Sequence, residues 1–433
     1  MASDIDDKVF KDPIHSLVRV TDSLIWELIQ TPEFQRLRRI KQLGGTHIVY
    51  PTAEHSRFSH SLGVYFIARR MFDVLNKQRK DDKKFSEDDR LLILCAALLH
   101  DLGHGPFSHS FETVLGIDHE VFTRRILLEN TNINRILESK GVGFAQKVSQ
   151  VIEKTYDNSL IVSLISSEID ADRLDYLLRD SYFTGAPYGE IDLERILRTM
   201  GQENERIVFK QSGMHAIEDY LFSRYQMYWQ VYLHDNSISF NFLIESMLKR
   251  VRLLIQKKYM FACDVTLFRR IFSDELDIEG YLKMDDGVIT TFAGFFMEES
   301  DEILRDLATR FLNRGLFKEF DYTPNIKSGE LYEELKDLFA AGCIDPDYYL
   351  LKFSYEQSPY DYYEGRGKDA IKIKTPDGSV KEISAVSTII QGIVNSPKLK
   401  NTLFLPLDLV RKAKNRDEIL EKIKEMIGRS VDV

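Results

Sequence analysis

The sequence predicts a mainly α-helical protein with a small α+β region at its C-terminal end. Three observations carry that reading. Apolar residues recur at helical spacing through most of the chain to about residue 330. One run of nine apolar residues, Leu91 to Leu99, is too continuous for a surface helix and far too short for a membrane span. Alternation takes over only near the C-terminal end, in AIKIKTPDGSVKEIS, around the turn residues Pro376, Asp377 and Gly378.

From the start of the chain, KVFKDPIHSLVRV alternates weakly and reads as an extended arm. Ser23 to Gln30 forms a first short helix. Thr31 then caps a second that opens on Pro32 and runs to Gly44-Gly45, with Phe34, Leu37, Ile40 and Leu43 as its apolar stripe. Ser56 to Asn76 is helical in period. The mixed-charge stretch Lys77 to Arg90 reads as a solvated loop and helix start. The next helix begins near Glu87 and delivers its apolar run into His100. Helical patterns follow over 121–129, 143–154, 161–180, 193–200, 215–233 and 240–257, with RIVFK at 206–210 as a strand. NTLFLPLDL offers another strand, and 417–427 a last amphipathic helix. The predicted divisions are an arm with helices (1–49), a metal-binding helical domain (50–180), a helical extension completing a pocket (181–330) and the α+β region (331–433).

Charge and cysteine content narrow the function. The 433 residues carry 58 basic and 68 acidic side chains, a net charge of −10. That balance argues against a general nucleic-acid or anionic-membrane binder. MASDIDDK lacks the basic start and apolar stretch of a secretory leader. Cys95, Cys263 and Cys343 are widely separated and form neither a zinc ribbon nor a disulfide framework, so a cytoplasmic location is expected.

Histidine departs from the ordinary. Seven of the ten lie between His47 and His119, and clustered histidines point to metal or acid–base chemistry. Ligands come from three places: His60 in RFSHSLGVY, His100-Asp101 in HDLGHGPFSH, and the carboxylates of SSEIDADRLDYLLRD. Each alone is weak, since a lone His-Asp pair is most often two unrelated residues. Delivered in sequence by three helices, they form a borderline-hard donor set suited to a divalent ion. A buried His-Asp at the end of an apolar helix also calls for a compensating cation. Asp170 and Asp172 compete for the last ligand position.

This order of histidine, His-Asp and aspartate, together with FQRLRRIKQLGG, HSRFSHSLGVY, LLHDLGHGPFSH, IDADRLDYLLRD and FSRYQMYWQVYLH, resembles the HD-domain deoxynucleoside-triphosphate (dNTP) triphosphohydrolases. The resemblance runs from Lys8 to about Lys318 and implies an HD-domain helical core. It implies that His60, His100, Asp101 and Asp172 hold one divalent ion (Mn, Fe, Mg, Ni or Zn), which leaves Asp170 as a helix cap or outer acceptor. It further implies release of a deoxynucleoside and inorganic triphosphate. His119 would serve as general acid with Glu112 as its orienter, where vertebrate members carry Asp, and His104 and His109 would contact phosphate or water. Arg57, Arg173, Tyr176 and Arg224 match phosphate-binding positions. Gln42, Asp180 and Tyr232 match sugar contacts, with Leu43 beside the nucleoside and Tyr232 crowding the 2′ edge against ribonucleotides.

The family's vertebrate members are tetramers bridged by activator nucleotides, so a homo-oligomer, dimer or tetramer, is expected here. Lys8, Val9, Arg38, Arg314 and Lys318 match positions around the activator pocket. Lys11 replaces Asn, and Gln30 stands where the guanine-reading Asp is found, so guanine preference should weaken or change. The rival readings are another HD-domain chemistry (a phosphodiesterase, a 5′-nucleotidase or a guanosine-tetraphosphate hydrolase), a non-catalytic nucleotide sensor, and a single-stranded nucleic-acid binder. The −10 charge opposes the last. No Gly-x-x-x-x-Gly-Lys loop is present, which excludes a P-loop enzyme.

Overall fold

The computed structural model describes residues 8–81, 84–273, 277–357, 360, 370–393 and 398–428. The leader reading rests largely on residues 1–7, which lie outside them. The fold is mainly α with small sheets, and no helix among the described residues is long and apolar enough to cross a membrane.

The N-terminal arm is a β-hairpin rather than a single extended strand: β1 (Lys8–Asp12) pairs antiparallel with β2 (Ser16–Val20). Pro13 falls in the turn, where its missing N–H costs nothing. Helix α1 (Ser23–Gln30) follows as predicted, and the Thr31 hydroxyl accepts from the Phe34 N–H to start α2 (Pro32–Gln35). The second helix is shorter than its apolar stripe predicts. It tightens into a 3₁₀ turn, Arg36–Arg39, and ends at Ile40 in extended conformation. Tertiary partners take the backbone donors that a longer helix would use: Lys41 N–H bonds Asp286, and Gln42 N–H bonds the His55 carbonyl.

Three helices build the centre: α3 (Arg57–Gln78), α4 (Glu87–Leu99) and, later in the chain, the helix that begins after Asp170. Ser86 and Asp89 make a reciprocal capping box at the start of α4, and Leu92 to Leu99 are buried without a break. Burial of each such Leu or Ile contributes about 1.5–3 kcal/mol, so this helix is the spine of the first core. Around it lie α6 (His119–Leu128), α7 (Asn132–Lys140), α8 (Phe144–Ile152) and α9 (Ser159–Ile165), whereas α5 (His109–Leu115) packs Phe111 and Val114 toward the long helix Asp235–Gln256.

The predicted helix over 161–180 is two helices. The chain leaves α9 at Ser166 and restarts as α10 (Ala171–Thr184), with Asp170 as the cap: its two oxygens accept the N–H groups of Ser167 and Arg173 at 2.8 and 2.7 Å. The segment predicted as one helix over 215–233 also divides, into an α-helix, Met214–Met227, and a π turn, Tyr228–Tyr232. Such turns occur often at functional sites. A long helix, Asp235–Gln256, then opens a second apolar core, which gathers the C-terminal helices and the sheet of Lys318–Asp321, Lys398–Leu405 and Leu351–Gln357. The predicted hairpin forms between Lys372–Lys374 and Val380–Glu382. Its first strand pairs parallel with the RIVFK strand, Arg206–Lys210.

Candidate active site

His60 lies one turn into α3, His100 and Asp101 at the end of α4, and Asp172 in the first turn of α10. His60, His100 and Asp172 each offer an atom within 4.8 Å of the others. The Asp101 carboxylate lies 3.9 Å from His60 Nε2 and 3.3 Å from His100 Nε2. Hydrogen bonds at the other ring nitrogen set both imidazoles. His60 Nδ1 is 2.8 Å from Asp175 Oδ2, and His100 Nδ1 is 2.9 Å from the Ala97 carbonyl. Both acceptors require an N–H, so each Nε2 is left as the lone pair, turned toward the carboxylates.

The donor set fits a divalent cation. His100 Nε2 is buried without a hydrogen-bond partner, the signature of a group that needs another ligand. Asp172 is held below the usual carboxylate range: burial works against this, and the neighbouring His100 and His60 imidazoles outweigh it. Asp101 is also held well below that range, with the His100 and Arg57 charges overcoming burial. In the metal-free protein Asp172 and Asp175 draw a proton onto His60. Burial opposes that charge, but Asp172 and Asp175 push its pKa up to about 10.

A second cluster adjoins the first. The tight loop after α4 approaches the start of α6 so closely that a Cβ on Gly103 would meet the His119 carbonyl at 2.2 Å. Only glycine allows that approach, which brings His104 and His119 into ring stacking at 3.7 Å between centroids. Glu112, on α5, places Oε1 3.1 Å from His104 Nδ1 and 3.2 Å from His119 Nδ1, at ion-pair distance but off hydrogen-bond alignment. Its other oxygen bonds His109 Nδ1 at 3.2 Å, although the His109 side chain is 79% exposed. Burial lowers the His119 pKa, but the Glu112 carboxylate outweighs it and the net shift is upward. Burial and the Arg57 charge depress His104 to about 4, so it stays neutral near pH 7. Asp101, His104 and His119 offer atoms within 4.8 Å of one another, which joins the two clusters.

Asp101 and Asp172 of the first cluster and His104, His109 and His119 of the second reach a cavity of about 530 Å³ that His60 and His100 do not line, a volume within the range of small-molecule sites. Gln42, Leu43, Arg57, Asp101, His104, His109, His119, Asp172, Tyr176, Asp180 and Tyr232 line it. Arg57 bonds Asp101 and the hydroxyl of Ser108, a residue at φ +46° in a loop where Phe107 is also at positive φ. Asp180 is held from both sides, by His55 Nε2 and the Tyr232 hydroxyl, each at 2.8 Å. Sequence reasoning missed Tyr228, Asn241 and Tyr355, which also line the cavity. Tyr355 comes from the C-terminal sheet, for which no motif was available.

The two remaining cations are placed differently. Arg173 and Arg224 do not line the cavity. Glu168, in the loop between α9 and α10, grips both, at 3.3 Å from Arg173 Nη1 and 2.8 Å from Arg224 Nη1. The proposed activator residues fall into separate places. Lys8 lies over the Trp26 ring and Arg38 over Phe58, and Phe10 packs between those two rings at 6.1 Å from each. Val9, Lys11 and Gln30 are exposed. Arg314 is exposed and bonds the Ile48 carbonyl, and Lys318 pairs with Glu319. No described contact joins these last two to the hairpin.

Residues 57–180 match the HD domain and residues 191–334 the HD associated region. The chain is 48% identical over 426 residues to the uncharacterized protein YwfO of Bacillus subtilis, covering 98% of each. It is 32% identical over 251 residues to the deoxynucleoside triphosphate triphosphohydrolase SAMHD1 homolog of Dictyostelium discoideum, covering 55% of this chain and 48% of that one. The chain thus spans about half the length of that relative. The crystal structure of a phosphohydrolase from Bacteroides thetaiotaomicron superposes with a TM-score of 0.81 at 28% identity, over 92% of this chain and 100% of that one.

Proposed function

The chain belongs to the HD-domain phosphohydrolase family related to the deoxynucleoside triphosphate triphosphohydrolases, and on that premise we propose that it converts dNTPs to a deoxynucleoside and inorganic triphosphate. The observation that carries this reading is one cavity holding a His/Asp donor set beside His119, with Glu112 behind it. HD domains are metal-dependent, and His60, His100, Asp101 and Asp172 would hold the ion. When bound, it supplies Lewis-acid polarisation of a phosphoryl oxygen and a more acidic water.

The protein's own groups do the rest. Arg57 steadies Asp101 and presents a guanidinium to the phosphates. His104, neutral near pH 7, donates or accepts without adding charge. His119 turns Nδ1 to Glu112 and delivers a proton from Nε2 to the departing 5′ oxygen. Its alignment with Glu112 tightens in the substrate complex, as catalytic hydrogen bonds commonly do. Gln42, Leu43, Tyr176, Asp180 and Tyr232 bind the nucleoside, and Tyr232, pinned by Asp180, excludes a 2′ hydroxyl. The test is product analysis: metal-loaded protein is incubated with each dNTP. Inorganic triphosphate is the expected product. Pyrophosphate or monophosphate would replace this reading with another HD-domain chemistry.

Arg173 and Arg224 read the triphosphate in this proposal, so substrate must displace Glu168 from both. Glu168→Gln should lower KM for a dNTP by about tenfold, since one charge-assisted hydrogen bond to be broken is worth about 1.5–3 kcal/mol, while kcat changes little. An unchanged KM would remove these arginines from the phosphate site.

Regulation is proposed on the same footing. In a homo-oligomer, dimer or tetramer, the patch bearing Lys8, Val9, Lys11, Gln30 and Arg38, with Arg314 and Lys318, takes an activator nucleotide at subunit interfaces. Gln30 both donates and accepts, unlike the carboxylate it replaces, so guanine is not strongly preferred. Activity on one dNTP is measured against GTP, dGTP, dATP and dTTP. Strong activation by GTP alone, unaffected by Gln30→Ala, would place the activator elsewhere.

A further inference from the structure

We propose that His15, in the turn of the N-terminal hairpin, is a positioning residue of the metal centre: it holds the Asp175 carboxylate that orients His60. The turn is built for this. Asp12 Oδ1 accepts the N–H groups of Ile14 and His15, each at 2.9 Å, and Asp12 Oδ2 accepts from Arg179 at 2.8 Å. The His15 ring is thereby turned inward, stacked on Phe66 at 4.7 Å, with Nε2 2.6 Å from Asp175 Oδ1.

Asp175 collects four donors. Oδ1 takes His15 Nε2 and Arg179 Nη2 (3.0 Å), and Oδ2 takes His60 Nδ1 and Arg179 Nε (2.8 Å). A carboxylate has about four lone-pair sites, so every one is used and the plane of the group is set. The side chains of His15, Asp175 and His60 are 2%, 0% and 0% exposed, so no solvent can replace a lost donor. Gly63, in the turn of α3 after His60, makes room for the group: a Cβ there would lie 1.9 Å from Asp175 Oδ1 and 2.5 Å from Arg179 Nη2. Without His15, Oδ1 keeps only Arg179 and the carboxylate is free to tilt. The hydrogen bond that turns His60 Nε2 toward Asp101 and Asp172 then loosens. The hairpin is in this way part of the metal centre, though its residues supply no ligand.

The inference rests on His60 being a ligand and is independent of which phosphate ester is cleaved. Metal-free protein is titrated with Mn²⁺ alone by calorimetry, with metal-free thermal unfolding followed alongside. His15→Phe keeps the ring stack on Phe66 and removes the donor; it should weaken Mn²⁺ binding by about 10- to 100-fold, as loss of an outer partner of a metal ligand does. His15→Gln restores an N–H and should recover most of that loss. In kinetics, His15→Phe should need more Mn²⁺ for half-maximal rate while KM for substrate at saturating Mn²⁺ stays near wild type. A folded His15→Phe protein with wild-type Mn²⁺ affinity overturns the proposal, and so does His15→Gln binding no better than His15→Phe. If His15→Phe does not fold, His15→Ala against His15→Gln is read in the same way. His60→Ala is the control. Wild-type affinity in that variant rejects the ligand set itself, whereas loss there with no change in His15→Phe rejects only the role of His15.

Discussion

Asp101→Ala should strip the protein of its divalent ion and of its hydrolytic activity together. Asp101 approaches both His60 and His100, at 3.9 and 3.3 Å, as Asp172 does at 3.0 and 3.6 Å, and Asp101 also meets Arg57 and His104. Its removal leaves Arg57 buried without its anion and the ion without one of two negative ligands. Loss of an outer partner alone costs up to about 100-fold in affinity, and loss of this inner one should exceed that. His100→Ala should behave alike. Metal content after dialysis and the hydrolysis rate are measured on the same sample; either variant retaining both would reject the ligand set. Asp172→Ala should cost far more metal than Asp170→Ala. Asp170 spends its oxygens on the Ser167 and Arg173 N–H groups, so its loss costs helix stability, about 1 kcal/mol, rather than the ion. The pH dependence follows from His60. Metal requires its neutral form, and in the metal-free protein the proton stays on to about pH 10. Binding therefore releases that proton at any lower pH, and affinity rises with pH by about tenfold per unit for each proton displaced. Titrations across the neutral range should show that slope, and a flat response would mean that binding displaces no proton from His60.

Much of the candidate metal group was legible in the sequence because its residues sit in short local motifs on helices whose period is plain: His60 near the start of one and His100-Asp101 at the end of a wholly apolar one, whereas Asp170 and Asp172 on the third competed until the family resemblance chose Asp172. The elements that failed did so where distant partners override local preference. The helix after Pro32 stops early because Asp286 and His55 capture the donors of Lys41 and Gln42. The helix predicted over 161–180 breaks because Asp170 caps a new start, and the break creates the loop that carries Glu168. Neither the Glu168 clamp nor the His15–Asp175 contact, which spans 160 positions, leaves a trace in any local pattern. Tyr355 was hidden for the same reason, since it reaches the cavity only through sheet pairing with Lys398–Leu405.

His119→Ala should slow hydrolysis by about 10²- to 10⁴-fold, the usual contribution of a positioned general acid, with metal content unchanged. The ring stands beside the donor set but is not needed to complete it: His60, His100, Asp101 and Asp172 group without it. Its proton is kept by Glu112, which itself stays ionised because contacts from His104, His109 and His119 outweigh burial. Three histidines thus converge on one carboxylate, and two of them, His104 and His119, are shifted in opposite directions. His104 is depressed to about 4 and is neutral near pH 7, whereas His119 is shifted upward and keeps its proton to higher pH. The sign for the rate follows. A general acid acts in its protonated form, so at saturating metal kcat should hold at low pH and fall as pH rises through the raised value of His119. Glu112→Gln removes the anion that raises it; the fall should then begin at lower pH and the maximum rate should drop, with metal still bound. His119→Ala should abolish that limb of the profile. A wild-type rate in His119→Ala, or an unmoved limb in Glu112→Gln, would mean that the leaving oxygen is protonated from elsewhere and that the stacked His104–His119 pair is only packing.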